Sequence, residues 1–255
     1  MKKIVLSLAI VSLLFSCNKQ EDSITTTDGD LAQNVGKRGC YSDEHLKNQL
    51  AADPTLANRM EEFELKAAEA IANGRIVNGV IEIPVVVNVL YRTTAENISL
   101  AQIQSQIAVL NKDFNATNSD YNTANNPYSS VRANVGIRFV LDQVIRKSTT
   151  KTSWGTNDAM KKSASGGMAA VTPTTKLNLW VCTIGGGILG YAQFPGGASA
   201  TDGVVIDSKY LGTTGTATYP FNLGRTATHE VGHWMNLRHI WGDATCGSDL
   251  VSDTP

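Results

Sequence analysis

The sequence has no surplus of either charge. Its 22 Lys and Arg stand against 23 Asp and Glu, a net charge of −1 over 255 residues. That balance argues against a nucleic-acid surface, which needs a basic excess, and against an acidic solvating tail. No internal repeat is evident. No apolar run reaches the ~20 residues of a comfortable membrane-spanning helix; the most prominent one covers residues 4–15. Cysteine is scarce: Cys17, Cys40, Cys182 and Cys246. The last three cannot all pair within one chain. Histidine is equally scarce, with four in all, yet three of them fall within eleven residues, from His229 to His239. Such crowding of the commonest metal-binding side chain is hard to read as core filling.

What is present begins with a leader. Lys2 and Lys3 precede the apolar run, and Ser16-Cys17 closes it, the pattern of an export signal. Residues 1–17 read as a signal peptide whose Leu14-Phe15-Ser16-Cys17 resembles a bacterial lipobox, with Cys17 as the lipidation site. The alternative is an ordinary cleaved signal in which Cys17 is incidental. Residues 18–36, rich in Thr, Asp, Asn and Gln, read as a flexible tether. Residues 41–75 read as helical: Asp53-Pro54 suits a helix start, Leu56, Met60, Phe63, Ala67 and Ile71 recur at helical spacing, and Gly74 suits the stop. A β-branched run over 80–91 predicts a buried strand, and Pro84 an edge or an irregularity early in it. Ser99 and Gln102 form a capping box ahead of a helix over about 100–115. Strands follow at 137–141, 177–182, 191–194 and 203–207, and a last helix at about 224–236. This order predicts an α+β fold, a mixed twisted sheet with a backing helix and an active-site helix on one face.

The chemistry lies in the last helix. His229 and His233 are four apart, so both imidazoles share one helical face and can reach one ion at about 2.0–2.1 Å. Glu230 sits about 100° round the helix, beside the metal and not on it, where a general base would meet the attacking water. On a continuous helix His239 would be turned about 240° away from the first pair. It joins them only if the helix ends and the chain reverses near Asn236, a residue type that tolerates the left-handed conformation. Three histidines with one open position suit a catalytic zinc site.

The segments 177–197, 224–243 and 253–255 resemble the pappalysin family of metzincins, in particular its cytophagalysin and ulilysin-like branch, and residues 37–75 resemble that family's propeptide. The resemblance implies a metzincin-like zincin fold and hydrolysis of peptide bonds. His229, His233 and His239 would be zinc ligands and Glu230 the general base. Arg before the cut would be preferred, and residues 76–255 would form the catalytic domain. It also implies a methionine-containing turn and a nearby tyrosine downstream of the third histidine. Neither Met nor Tyr follows His239, so the chain is expected to stop short of the C-terminal subdomain, and Cys246 to have lost a disulfide partner. Asn236 departs from the usual Gly.

Cys40 is a candidate latency switch, its thiolate filling the open zinc position until a cut near Arg75, as the resemblance suggests; a spare thiol or an intermolecular disulfide is the alternative. Cys182 reads as a core residue on a strand. Gly185 to Gly187 read as room for a substrate backbone, with Gly190-Tyr191-Ala192 as the sheet edge it joins. Asp243, Asp249 and Asp253 could bind calcium, as relatives do, or simply cap turns. The expected protein is an exported bacterial endopeptidase precursor, secreted or held at the cell envelope. It would act on proteins or peptides, with no nucleic acid and with membrane contact only through an N-terminal lipid anchor. The rival from another class is a peptide-binding envelope lipoprotein that keeps the zinc site without catalysis.

Overall fold

A computed structural model describes residues 39–72, 80–121, 129–244 and 247–251. The signal peptide, Cys17, the tether, Gly74, Arg75, Cys246 and Asp253 lie outside these residues. The elements run β1 (Gly39–Cys40), α1 (Ser42–Ala52), α2 (Leu56–Ala72), β2 (Ile81–Tyr91), α3 (Leu100–Phe114), β3 (Ile137–Ser148), β4 (Leu177–Cys182), β5 (Ile188–Ala192), β6 (Val204–Asp207) and α4 (Arg225–Trp234). The strands form one mixed sheet in the order β1-β5-β6-β4-β2-β3. Every pairing is parallel except that of β5 with β6. No helix among the described residues is long and apolar enough to cross a membrane.

Alternation along the strands builds two cores. Val85, Val87, Val89, Leu177, Leu179, Val181, Val204 and Ile206 face one way and pack with Ile103 and Leu110 of α3 and Ala227 and Val231 of α4. Leu90, Trp180, Cys182, Tyr191 and Val205 face the other way and are covered by Trp154, Met160 and Met168 from the long β3–β4 connection. Cys182 is thus the core residue its strand position suggests. Each such side chain withdrawn from water contributes roughly 1.5–3 kcal/mol. Because the central strands are buried on both faces, they read as continuous apolar runs.

Strand β2 meets β3 along its whole length but meets β4 only from Val85 onward, and its register shifts between Val85 and Val86. Pro84 therefore sits where one side of the strand is unpaired, as a residue without an N–H requires. Ser99 caps α3 by accepting from the Gln102 N–H at 3.1 Å. The Gln102 side chain does not close the box. It accepts from Thr216 and donates to the carbonyls of Ser208 and Leu211. Gln106 holds Gly212 and the Gly224 carbonyl in the same way, at 2.7 and 3.0 Å. Helix α3 thus fixes the loop that delivers α4.

Three expectations change. The 41–75 segment is two helices, because Asp53 ends α1 and its carboxylate binds the Thr55 N–H and hydroxyl. Helix α2 docks through its first turns, where Leu56 and Met60 join Leu46 and Phe194, whereas Phe63 is 44% exposed. Strand β3 runs on to Ser148, since the second half of β2 offers it a ladder whatever its side chains. Gly186 and Gly187, with φ of 73° and 74°, make the turn into β5, so that strand starts at Ile188.

Candidate active site

Helix α4 carries His229, Glu230 and His233 and ends at Trp234. Asn236 has φ 76°. Its N–H donates to the His233 carbonyl and the Leu237 N–H to the Gly232 carbonyl, both at 2.9 Å. This pair of bonds around a left-handed residue is a Schellman motif, and it turns the chain back over the helix end. His239 then returns to the first two histidines. The three Nε2 atoms form a triangle with sides of 3.0, 3.1 and 3.2 Å.

The proton positions explain why this triangle calls for a cation. His233 Nδ1 donates to the Leu237 carbonyl at 2.7 Å, so the reversal that brings in His239 also orients the second imidazole. His239 Nδ1 donates to Asp243 Oδ1 at 2.5 Å, and its ring stacks on Trp241 with centroids 4.4 Å apart. In neutral imidazoles with these donors, both Nε2 atoms carry bare lone pairs. Two bare nitrogens 3.2 Å apart repel unless a positive charge lies between them. His233 is buried, and that burial holds it down at about 4, with the His239 ring adding to the effect. His229, although partly open to solvent, is pushed the same way by desolvation and by the His233 and His239 rings. Both are neutral at pH 7, as metal ligands must be. Tetrahedral nitrogen ligands about 2.0–2.1 Å from zinc lie about 3.3 Å apart, close to the sides of this triangle. The donor set fits such an ion.

Cys40 faces the same point. Its Sγ and the three imidazole nitrogens all lie within 4.8 Å of one another. The cysteine arrives on β1, which pairs in parallel with β5, Gly39 opposite Ile188 and Cys40 opposite Gly190, and the Tyr41 N–H continues to the Gly190 carbonyl at 3.1 Å. Strand β5 is thus the edge to which this strand is added. Gly190 leaves no room for a side chain: a Cβ there would lie 2.8 Å from the Val205 carbonyl oxygen and 3.1 Å from Glu230 Cγ. Burial, and then the neighbouring Glu230, push the Cys40 thiol up.

Glu230 is 1% exposed, and burial pushes its carboxyl up to about 7 against the hydrogen bonds it accepts. Ser42 donates to its Oε2 at 2.7 Å and Cys40 Sγ approaches the same oxygen at 3.4 Å. Ser42 was not legible as a site residue: nothing in its sequence surroundings separates it from any other helix-start serine. Asp243, expected as a calcium candidate, is committed to His239, while Asp249 is buried near the chain's last described residues. A cleft of about 510 Å³ between β1 and α4 is lined by Gly39, Cys40, Leu189, His229, Glu230 and Trp241. Across the histidines lies a second, of about 420 Å³, lined by Phe114, Val135, Leu237 and Ile240. Its one carboxylate among the described residues, Asp113, is engaged by Thr228 at 2.6 Å and Arg225 at 3.1 Å, which also pins α4 to α3.

Comparison with known proteins agrees with this site. The sequence model of the peptidase M43 family, that of pregnancy-associated plasma protein-A, matches residues 178–255. An extracellular metalloprotease of Pyricularia oryzae is 36% identical over 204 residues, 74% of this chain and 62% of that protein. Extracellular metalloprotease 1 of Coccidioides posadasii is 36% identical over 170 residues, 62% of this chain and 51% of that one. The chain therefore spans only half to six-tenths of these two relatives. One from Colletotrichum graminicola is 31% identical over 233 residues, 86% of this chain and 71% of that protein. Among solved structures, a Tannerella forsythia promirolysin mutant superposes with a TM-score of 0.76 at 39% identity, covering 86% of this chain and 76% of that one. Mature mirolysin from the same organism, in complex with a cleaved peptide, gives 0.67 at 43% identity over 70% and 73%. On these grounds the chain belongs to the M43, or pappalysin, family of metzincin peptidases.

Proposed function

We propose that the protein is the latent precursor of an exported zinc endopeptidase. The observation that carries this reading is the meeting of three neutral imidazoles and a thiol beside a buried carboxylate. His229, His233 and His239 would hold the zinc, with the Cys40 thiol beside them in the precursor. When bound, zinc supplies Lewis-acid polarisation and an orienting centre for the reacting groups. Glu230 takes a proton from the attacking water and passes it to the leaving amine nitrogen. A buried carboxyl beside the histidines is the group placed to carry that proton in both directions. Strand β5 orients the peptide by backbone hydrogen bonds once β1 leaves its edge.

The same reading assigns residues 1–17 to a lipobox signal, 18–36 to a tether, 37–75 to a propeptide and 76–255 to the catalytic domain. Relatives named as extracellular metalloproteases support export. A preference for Arg before the cut finds no free carboxylate among the described residues of the cleft beyond the histidines, so cleavage-site sequencing on a mixed peptide library must decide it. Zinc content and peptide hydrolysis, measured on wild type and Glu230→Ala, test the enzyme reading: the variant keeps its metal and loses turnover. A metal-loaded, processed wild type with no turnover would leave only a peptide-binding module. For latency, the Cys40→Ala precursor should hydrolyse peptide faster than the wild-type precursor without processing. Equal rates would remove Cys40 as a switch.

A further inference from the structure

We infer that the N-terminal segment silences the site through two separable contacts, Cys40 at the metal position and the Ser42 hydroxyl on the general base. The inference rests on the zymogen reading above and deepens it. Ser42 is wholly buried. Its hydroxyl donates to Glu230 Oε2 at 2.7 Å and accepts from the Ala192 N–H at 2.8 Å. One hydroxyl thereby occupies two functions. It takes up one acceptor site of the carboxylate that would receive a proton from water and ties that side chain to the N-terminal segment. It also uses an N–H of the sheet edge that an incoming peptide carbonyl would otherwise take.

The two bonds of the Ser42 hydroxyl do not pass through the thiol, although the Ser42 N–H also donates to Cys40 Sγ at 3.3 Å. Removing the Cys40 side chain leaves the Tyr41 N–H on the Gly190 carbonyl and leaves Ser42 in its place. Contacts farther along the segment also hold it there. Gln49 donates to Gln193 at 3.2 Å, Arg59 donates to the Gly196 carbonyl at 2.7 Å, and His45 lies 3.3 Å from Asp158. A hydrogen bond to a buried charged group is worth enough to change a population by about tenfold or more. The Cys40→Ala precursor is therefore released only in part, because its base remains engaged.

The test compares four full-chain precursors: wild type, Cys40→Ala, Ser42→Ala and the double variant. Each rate on a fluorogenic peptide is expressed relative to the same protein after limited proteolysis, so that losses in folding or metal loading cancel. The expected result is a Cys40→Ala precursor at about a tenth of its processed rate or below, and a double variant about tenfold above it. A second measurement does not depend on how the variants fold. A synthetic peptide of residues 37–52 is added to processed wild-type protein, and Ser42→Ala in that peptide should weaken inhibition by about tenfold. A Cys40→Ala precursor as active as the double variant would overturn the inference, as would equal inhibition by the two peptides. A wild-type precursor as fast before processing as after it would overturn the zymogen reading itself, and that outcome is visible in the wild-type sample alone.

Discussion

Glu230 is a carboxyl buried beneath the N-terminal segment, the residue proposed as general base. Burial alone raises it, and only Ser42 and Cys40 hold it back. Glu230→Ala should lower peptide turnover by about 10²–10⁴-fold while leaving zinc content unchanged, read by hydrolysis rate and metal analysis on the same sample. Asp243 acts one bond away from the ion position, fixing which nitrogen of His239 carries the proton. Asp243→Asn should weaken zinc binding by about 10–100-fold, measured by competition with a chelator. Asn236 matters for its backbone. A β-branched residue at φ 76° pays for a left-handed conformation, so Asn236→Val should destabilise by about 1–2 kcal/mol in a denaturant titration, whereas Asn236→Gly should be tolerated.

At the scale of elements, strand β5 and helix α4 are built against each other at one residue. Gly190 lets the Glu230 side chain lie on the edge strand. Gly190→Ala should cost about 1–3 kcal/mol and displace the carboxylate, so thermal stability and hydrolysis should fall together. This contact also marks where sequence reading runs out. The positions of β2, β4 and α4 follow from apolar runs and from the spacing of His229, His233 and His239, because burial and helical period act locally. The reversal at Asn236 is legible for the same reason. The split of the 41–75 segment at Asp53 is only half legible: Asp53-Pro54 marks a helix start, but α1 stops there without the glycine that would mark its end. The role of Gly190 depends on Glu230, 40 positions away in sequence, and that of Ser42 on a partner 188 positions away. Such meetings are set by the sheet order, in which β1 joins β5, and no local pattern encodes them.

In the whole molecule, the N-terminal segment is held to the body by a buried polar cluster as well as by β1. Asp158, in the connection after β3, lies against His45 of α1, Lys161 and the Tyr191 hydroxyl. Burial alone would raise its carboxyl, but the His45 contact and the Lys161 ammonium outweigh it and hold it at about 2, below the ordinary 3.8. A folded value below the unfolded one stabilises fully above about pH 4, and that contribution is lost as pH falls towards 2. It amounts to about 2 kcal/mol. Acid unfolding of Asp158→Asn should accordingly be shallower than that of wild type between pH 4 and 2. The account as a whole turns on four side chains, one of them brought from a strand 189 positions before His229 in the chain, converging where one ion would sit. X-ray absorption at the zinc edge of the purified precursor reads that shell directly. It should show three nitrogen ligands at about 2.0–2.1 Å and one sulfur at about 2.3 Å, the sulfur vanishing in Cys40→Ala. A shell of fewer than three imidazoles, or one without sulfur in the wild-type precursor, would contradict it.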